Sequence, residues 1–294
     1  MRAVVVHEGA LRVEGRPEPE PAAGQLAVRV RAAGVNNADL AQRAGRYPAP
    51  PGAPQDIPGL ECAGETEDGR RVMALLPGGG QAEAVAVDER HVLDVPDGVP
   101  WEEAGGFMEA FATAHDALFT QAGLQAGERL LVTGAAGGVG VAAVQLGVAT
   151  GARVTASARH HQDELRALGA DLGVEGPYDV ILELVGGDGL TRALELLAPG
   201  GRISVIGTGA GARAEIDFGL LMRKRGSIHG STLRSRTAEE KAEVVRRLGE
   251  LTLPLLARGE IRVPVEATFP LERAEEAYAR FAAGGKLGKI VLVT

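Results

Sequence analysis

RLLVTGAAGGVGVAAVQLGVATGARVTASAR, residues 129–159, decides the fold. An apolar run from Arg129 to Thr133 enters a glycine-rich turn, a helical pattern runs from Val139 to Thr150, and a second apolar run spans Arg153 to Ser157. Strand, glycine turn, helix and strand within about 30 residues predict the βαβ unit that binds dinucleotides. The turn reads Ala135-Ala136-Gly137-Gly138-Val139-Gly140, a G-x-G-x-x-G fingerprint with alanine in the first glycine place. Gly137 lets the backbone approach a pyrophosphate, and Gly140 lets helix and strand pack closely. The anion would rest on N–H groups at the positive end of the helix dipole, around Ala136, Gly138 and Val139. A glycine fingerprint alone also describes a tight turn in any α/β protein, so the weight rests on the flanking strands and helix.

The end of the second strand selects the nucleotide. An NAD site usually places Asp or Glu about 20 residues on, against the adenosine ribose. Here the chain reads Ser157-Ala158-Arg159-His160-His161, with no carboxylate before Asp163. Arg159 offers a fork of donors to a 2′-phosphate and Ser157 adds a hydroxyl, which favours NADPH. The competing reading is a solvated loop.

The chain has 294 residues, enough for a substantial core and two domains. A net charge of −8 argues against nucleic acid or an anionic membrane as partner. No stretch reaches the ~18 apolar residues of a membrane span. The start, MRAVVVHEGALRV, lacks the pattern of a signal peptide, and a cytoplasmic location is expected. Cys62 is the single cysteine, which excludes an internal disulfide and a zinc site built from several thiolates.

Taken in order, residues 3–6 and 26–32 read as strands, the latter with strict alternation. A long Pro- and Gly-rich segment follows Ala32, with too little periodicity for a long helix; such a segment in a compact domain is functional or disordered. Strand-like pieces at 71–76, 83–87 and 91–95 make the first hundred residues β-rich. Residues 100–122 read as a helix. After Ser157, strands at 179–184, 202–206 and 226–231 alternate with helices at 162–168 and 190–197, the latter closed by Pro199-Gly200-Gly201. Thr237 to Glu240 is a capping box opening a helix that Pro254 breaks. The tail reads strand, helix, strand. Fold class is therefore α/β.

AAGVNNADLAQRAGRYPAPPG (32–52), PGLECAGE (58–65), EAFATAHDALF (109–119), LLVTGAAGGVGVAAVQL (130–146), DVILELVGG (179–187), KRGSIHGSTLRSRTAEEKA (224–242) and GGKLGKIVL (284–292) together resemble the zinc-free quinone oxidoreductases of the medium-chain dehydrogenase/reductase superfamily. The resemblance covers essentially the whole chain, and GSTLRSRT points to the branch typified by stress-inducible quinone oxidoreductases. It implies a GroES-like catalytic domain from both chain ends, residues 1–110 and 250–294, and a doubly wound Rossmann domain, residues 111–249, with the cofactor in the cleft.

The superfamily's zinc enzymes carry a Cys after "GV" and a His in "GHE"; those places hold Asn36 and Leu60 here. Neither side chain suits zinc, and Glu61 alone cannot hold the metal, so no metal is expected. Without a Lewis acid, reduction of an activated acceptor asks less of the protein than alcohol oxidation. Asn36, Asp39 and Tyr47 are the catalytic candidates. Asn36 would donate to a substrate oxygen or the cofactor ribose, Asp39 would orient the loop, and Tyr47 would donate a hydrogen bond or a proton. Their alternatives are a turn residue, a helix cap and a pocket wall. By family position, Thr113 faces the nicotinamide, and Val185, Gly186, Ile206, Gly207, Thr232, Leu233, Lys286 and Gly288 are further cofactor contacts.

Departures matter too. GGYAEY of the family becomes Gly80-Gln81-Ala82-Glu83-Ala84, which removes two aromatics. Only Glu175 to Tyr178 remain between Val174 and Asp179, too few for a parallel crossover, so the family's third strand around 171–174 is expected to be lost or reduced. Three functions stay open: an NADPH-dependent quinone reductase, by hydride or single-electron steps; an enoyl or enone reductase; and a non-catalytic NADPH-binding protein like the ζ-crystallins. The strand at 226–231 would form a sheet edge, and the family commonly pairs it across a two-fold axis, so a homodimer is expected.

Overall fold

A computed structural model describes every residue, Met1–Thr294. The elements run β1 (Arg2–His7), β2 (Ala10–Gly15), β3 (Gln25–Val35), α1 (Asn37–Arg43), β4 (Glu61–Thr66), β5 (Arg71–Leu75), β6 (Ala84–Asp88), β7 (Val92–Asp94), α2 (Trp101–Gly105), α3 (Met108–His115), β8 (Arg129–Thr133), α4 (Gly138–Ala149), β9 (Arg153–Ser157), α5 (Gln162–Ala167), β10 (Tyr178–Glu183), α6 (Asp188–Leu196), β11 (Leu197–Val205), α7 (Phe218–Lys224), β12 (Ser227–Gly230), α8 (Ala238–Leu251), α9 (Leu253–Ala257), β13 (Val265–Pro270), α10 (Ala274–Ala282) and β14 (Lys289–Val293). No helix is long and apolar enough to cross a membrane.

They form two compact units, Met1–Ala112 with Leu233–Thr294, and Thr113–Thr232. The C-terminal boundary lies at Leu233, ahead of the expected 250, because α8 belongs with the first unit: His91 Nε2 lies 2.8 Å from the Ala238 carbonyl, and Leu248 is fully buried.

The first unit is β-rich. Its main sheet runs β13-β14-β3-β4-β5-β7, with β6 also on β3. Val28, Val30, Cys62, Val72, Ala74, Val85 and Val87 bury one core inside it, from alternating positions of four strands. A second core packs Tyr278, Phe281 and Ala277 of α10 against Val35, Ile290 and Leu292. β14 pairs with β3 through Ile290 opposite Val35, which brings the chain's last strand against one of its first.

The second unit is a parallel sheet ordered β12-β11-β10-β8-β9, flanked by helices. The middles of β8 and β10, residues 130–132 and 180–182, are apolar and buried because both faces of the sheet are covered. The family's third strand is reduced to one bridge, Thr155 opposite Asp171, leaving five strands. The four residues before Asp179 cannot carry a crossover.

Two expectations change. The helix over 100–122 is interrupted: α2 ends at Gly105, α3 begins at Met108, and residues 116–121 wind as a π-helix. At Gly105 an added Cβ would lie 2.6 Å from Ala32 Cβ, so that close approach fixes the break. Pro199-Gly200-Gly201 does not close a helix ahead of the strand. It lies inside β11, which starts at Leu197 and shifts register against β10 between Tyr178 and Val180.

Candidate active site

In the first unit the site grows from the end of β3. Asn36 is the N-cap of α1, and its backbone N–H donates to Asp39 Oδ2 at 2.8 Å. The other Asp39 oxygen accepts the Gly59 N–H at 2.9 Å. Asp39 is fully buried and tethers α1 to the 58–60 turn. It orients the loop from inside and presents no atom to an acceptor. Burial pushes its carboxyl up to about 6, against the lowering effect of the two N–H donors and Lys289.

Glu61 opens β4 and Lys289 opens β14. Lys289 Nζ donates to Glu61 Oε1 at 2.6 Å, to Asn36 Oδ1 at 2.6 Å and to the Val35 carbonyl at 3.3 Å. Asn36 Nδ2 donates to Glu61 Oε1 at 2.9 Å, and the Glu109 N–H donates to Glu61 Oε2 at 2.9 Å. The charged pair is fully buried, yet each polar atom finds partners, which is what a buried ion pair requires. The same contacts fix the Asn36 amide at both ends, with one Nδ2 proton still to give. Gly34 makes the arrangement possible: an added Cβ there would lie 2.8 Å from Glu61 Cδ and closer still to Oε1.

Tyr47 lies half-buried in the irregular segment. Arg234 Nη1 donates to its carbonyl at 2.9 Å, and the guanidinium sits 5.1 Å from the phenol ring centroid. The rest of Arg234 bonds the Pro77 carbonyl at 2.9 Å and Gln42 Oε1. Arg234 thus pins the segment that carries Tyr47. Lys286 is half-buried with Nζ 4.1 Å from the Phe281 ring centroid; burial, with Lys289 and Arg280 nearby, lowers its ammonium to about 8. Leu233 is buried, and Gly288 turns tightly against the Pro264 carbonyl.

In the second unit α4 starts at the glycine turn, with Gly137 as N-cap. A Cβ at Gly140 would lie 2.6 Å from Ala135 Cα, so glycine is required for helix and strand to meet. At Gly137 the nearest atom to an added Cβ is the Gly134 carbonyl oxygen at 3.5 Å, which leaves the approach to the helix start open. Ala136, Gly138 and Val139 complete the turn, whose first-turn N–H groups have no intrahelical acceptor. Ser157 closes β9 half-buried, and its carbonyl accepts the Ala135 N–H at 3.1 Å; Arg159 beyond it is exposed. Val185 and Gly186 donate their N–H groups to Glu183 Oε1, both at 2.8 Å, so a buried carboxylate shapes that loop. Ile206 and Gly207 follow β11 and donate to the Glu183 carbonyl. Thr113 is half-buried and Thr232 exposed.

Sequence reasoning put Asn36, Asp39 and Tyr47 in one segment; the structure links Asn36 and Asp39 with Glu61, Glu109 and Lys289 by hydrogen bonds, and sets Tyr47 against Arg234. Glu61, Glu109, Arg234 and Lys289 were missed as site residues. Glu61 was weighed only as a metal ligand; Glu109, Arg234 and Lys289 lie in the resemblance motifs but carry no spacing signal of their own.

Residues 22–97 match the family described as alcohol dehydrogenase GroES-like domain, and residues 150–292 match that described as zinc-binding dehydrogenase. The chain is 31% identical over 306 residues to a quinone oxidoreductase of Lama guanicoe, covering 94% of this chain and 90% of that one. It is 31% identical over 340 residues to the human synaptic vesicle membrane protein VAT-1 homolog-like, covering 99% and 80%. Among solved structures, the quinone oxidoreductase of Thermus thermophilus, described also in complex with NADPH, superposes with a TM-score of 0.87 at 36% identity over the whole of both chains. With these likenesses over its full length, the chain belongs to the quinone oxidoreductase-like family of the medium-chain dehydrogenase/reductase superfamily.

Proposed function

We propose that the protein is an NADPH-dependent, zinc-independent quinone reductase. The observation that carries this reading is the Asn36–Glu61–Lys289 cluster at the place where zinc members of the superfamily hold metal. The donor set does not fit zinc: Leu60 is a buried apolar side chain, Glu61 is saturated by Lys289, Asn36 and the Glu109 N–H, and an ammonium occupies the middle of the group. No group of three or more His, Cys, Asp or Glu could hold a metal elsewhere.

The second unit fits a dinucleotide. The open approach at Gly137 and the start of α4 would hold the pyrophosphate, and Ser157 and Arg159 would hold the 2′-phosphate. The loops at Val185–Gly186 and Ile206–Gly207, with Thr113 and Thr232, would position the nicotinamide; Leu233, Lys286 and Gly288 are proposed as further cofactor contacts. NADPH, when bound, supplies the hydride. The chain's own work is to orient the acceptor and stabilise the charge that develops on its oxygen. Asn36 gives its remaining N–H to that oxygen, Tyr47 adds its phenol, and Asp39 and Arg234 keep the two in place.

The test is NADPH oxidation with a panel of quinones and 2-enals, with NADH in parallel and Asn36→Ala as control. Turnover of an ortho- or para-quinone with NADPH, lost in the control, supports the proposal. Turnover of enals alone would make the protein an enone reductase. Tight NADPH binding with no acceptor reduced would leave a binding protein.

We also propose a homodimer through β12, which pairs only with β11 and ends the sheet. On α7, just before it, Phe218 is 71% and Met222 75% exposed, an apolar pair that a second copy would cover.

A further inference from the structure

We propose that Glu109 is the proton store of the reaction: its carboxyl keeps a proton beside the ion-paired Glu61 and releases it to the acceptor that has taken up hydride. This rests on the reductase reading above and names a group that reading does not use.

Glu109 follows Met108 at the start of α3 and is fixed by its own N–H on Glu61 Oε2. Glu61 cannot serve as a proton store, because an ammonium and an amide hold one of its oxygens at 2.6 and 2.9 Å and the Glu109 N–H holds the other. Asp39 cannot reach an acceptor, because it is fully buried and both its oxygens are spent on backbone N–H groups. Lys289 spends its donors on Glu61, Asn36 and Val35. Of Asn36, Asp39, Glu61, Glu109 and Lys289, only Asn36 and Glu109 are half-buried, so they form the accessible rim of these five. One offers an amide N–H and the other a carboxyl.

The surroundings decide the protonation state. Glu61 lies behind Glu109 on β4, Lys289 on β14, Asp39 on α1, Arg234 before α8 and Lys241 within it. Burial pushes the Glu109 carboxyl up to about 8; Glu61 and Asp39 add to the push, while Lys289 and Arg234 oppose it. A carboxylic acid poised there is protonated at neutral pH and is acidic enough to be given up, which is the condition for efficient general acid catalysis.

The step balances. When bound, NADPH would supply a hydride carrying both electrons of its C–H bond, and the acceptor that takes it up becomes an enolate or a hydroquinone monoanion. Its oxygen or carbanionic carbon takes the Glu109 proton, the carboxyl O–H breaking as the new bond forms. Glu109 is left as a carboxylate and regains a proton from solvent on its exposed side.

Two measurements test this. Carbon-13 NMR of the full chain, labelled at the glutamate carboxyl carbons and free of acceptor, follows the resonance that disappears in Glu109→Gln. The pH profile of single-turnover reduction, with one ortho-quinone and one 2-enal, is read for wild type, Glu109→Gln and Glu109→Asp. The Glu109 resonance is expected to titrate far above the ordinary glutamate range. Wild-type reduction is expected to fall as pH rises through the same value. Glu109→Gln is expected to lose about 100-fold, within the range of general acid catalysis, with no dependence on pH there and unchanged NADPH affinity. Glu109→Asp is expected to keep a titrating limb at a shifted pH, and decides the matter should the glutamine variant not fold. A resonance titrating in the ordinary range, or a glutamine variant with the wild-type pH profile at any rate, overturns the proposal. The two failures are distinguishable: if the reductase reading fails, wild type reduces neither acceptor and the proton store falls with it, whereas if only the proton store fails, wild type reduces an acceptor and Glu109→Gln keeps the wild-type pH profile.

Discussion

Lys289 Nζ lies 2.6 Å from Glu61 Oε1 although 228 residues separate the two. Pairing of β14 with β3, and of β3 with β4, brings the strand starts together. The pair, with Asn36 between its members, is the frame on which the candidate site is built.

Removal of one partner leaves a buried, uncompensated charge. Lys289→Met is expected to lower the unfolding free energy by about 3–5 kcal/mol, and Glu61→Gln in the same protein should recover part of that loss. Urea denaturation of the two single variants and the double variant gives the coupling. Simple additivity would show that the pair does not act as a unit.

Gly34→Ala tests the close approach. Its Cβ would enter the space of the Glu61 carboxylate. An overpacking cost of about 1–3 kcal/mol is expected, together with loss of reductase activity as Asn36 loses its partner. Calorimetry and an NADPH assay read the two effects separately.

Arg159 decides nucleotide choice in the proposed reaction. Arg159→Ala removes charge-assisted hydrogen bonds worth about 1.5–3 kcal/mol, so the KM for NADPH should rise about ten- to a hundredfold with that for NADH unchanged. Equal effects on both nucleotides would reduce Arg159 to a solvated loop residue.

Stability should depend on pH in a defined direction. Asp39 and Glu109 have folded-state values of about 6 and about 8, above the ordinary 3.8 and 4.5. A raised carboxyl contributes stability that is fully present below its unfolded value and lost as pH rises through its folded one. The melting temperature should therefore fall between about pH 4 and pH 8, and Glu109→Gln should abolish the part above pH 6, where Asp39 no longer contributes. A flat wild-type profile would show that neither carboxyl is raised.

For assembly, sedimentation should show a dimer, and Phe218→Glu with Met222→Glu should give a monomer that still binds NADPH. A wild-type monomer ends the dimer proposal.

Local chemistry determined much of this protein from sequence alone. Two apolar runs and a helical pattern with the glycine turn marked β8, α4 and β9, because each depends on contacts within about 30 residues. The four residues before Asp179 showed that the third strand could not be carried, and one bridge at Asp171 is what remains. The Asn36–Asp39 tether was legible for the same reason, being a contact across three residues.

Only the tertiary structure decided the rest. Lys289 is an ordinary lysine at a strand start until β14 lies beside β3, and Arg234 is one basic residue in a loop until it reaches Tyr47 and Pro77. Glu109 carries no local signal of its own until its N–H at the start of α3 meets the Glu61 carboxylate on β4. Burial and long-range pairing set the charge state of these groups, and both depend on how the strands and helices pack, which no local pattern in the chain encodes.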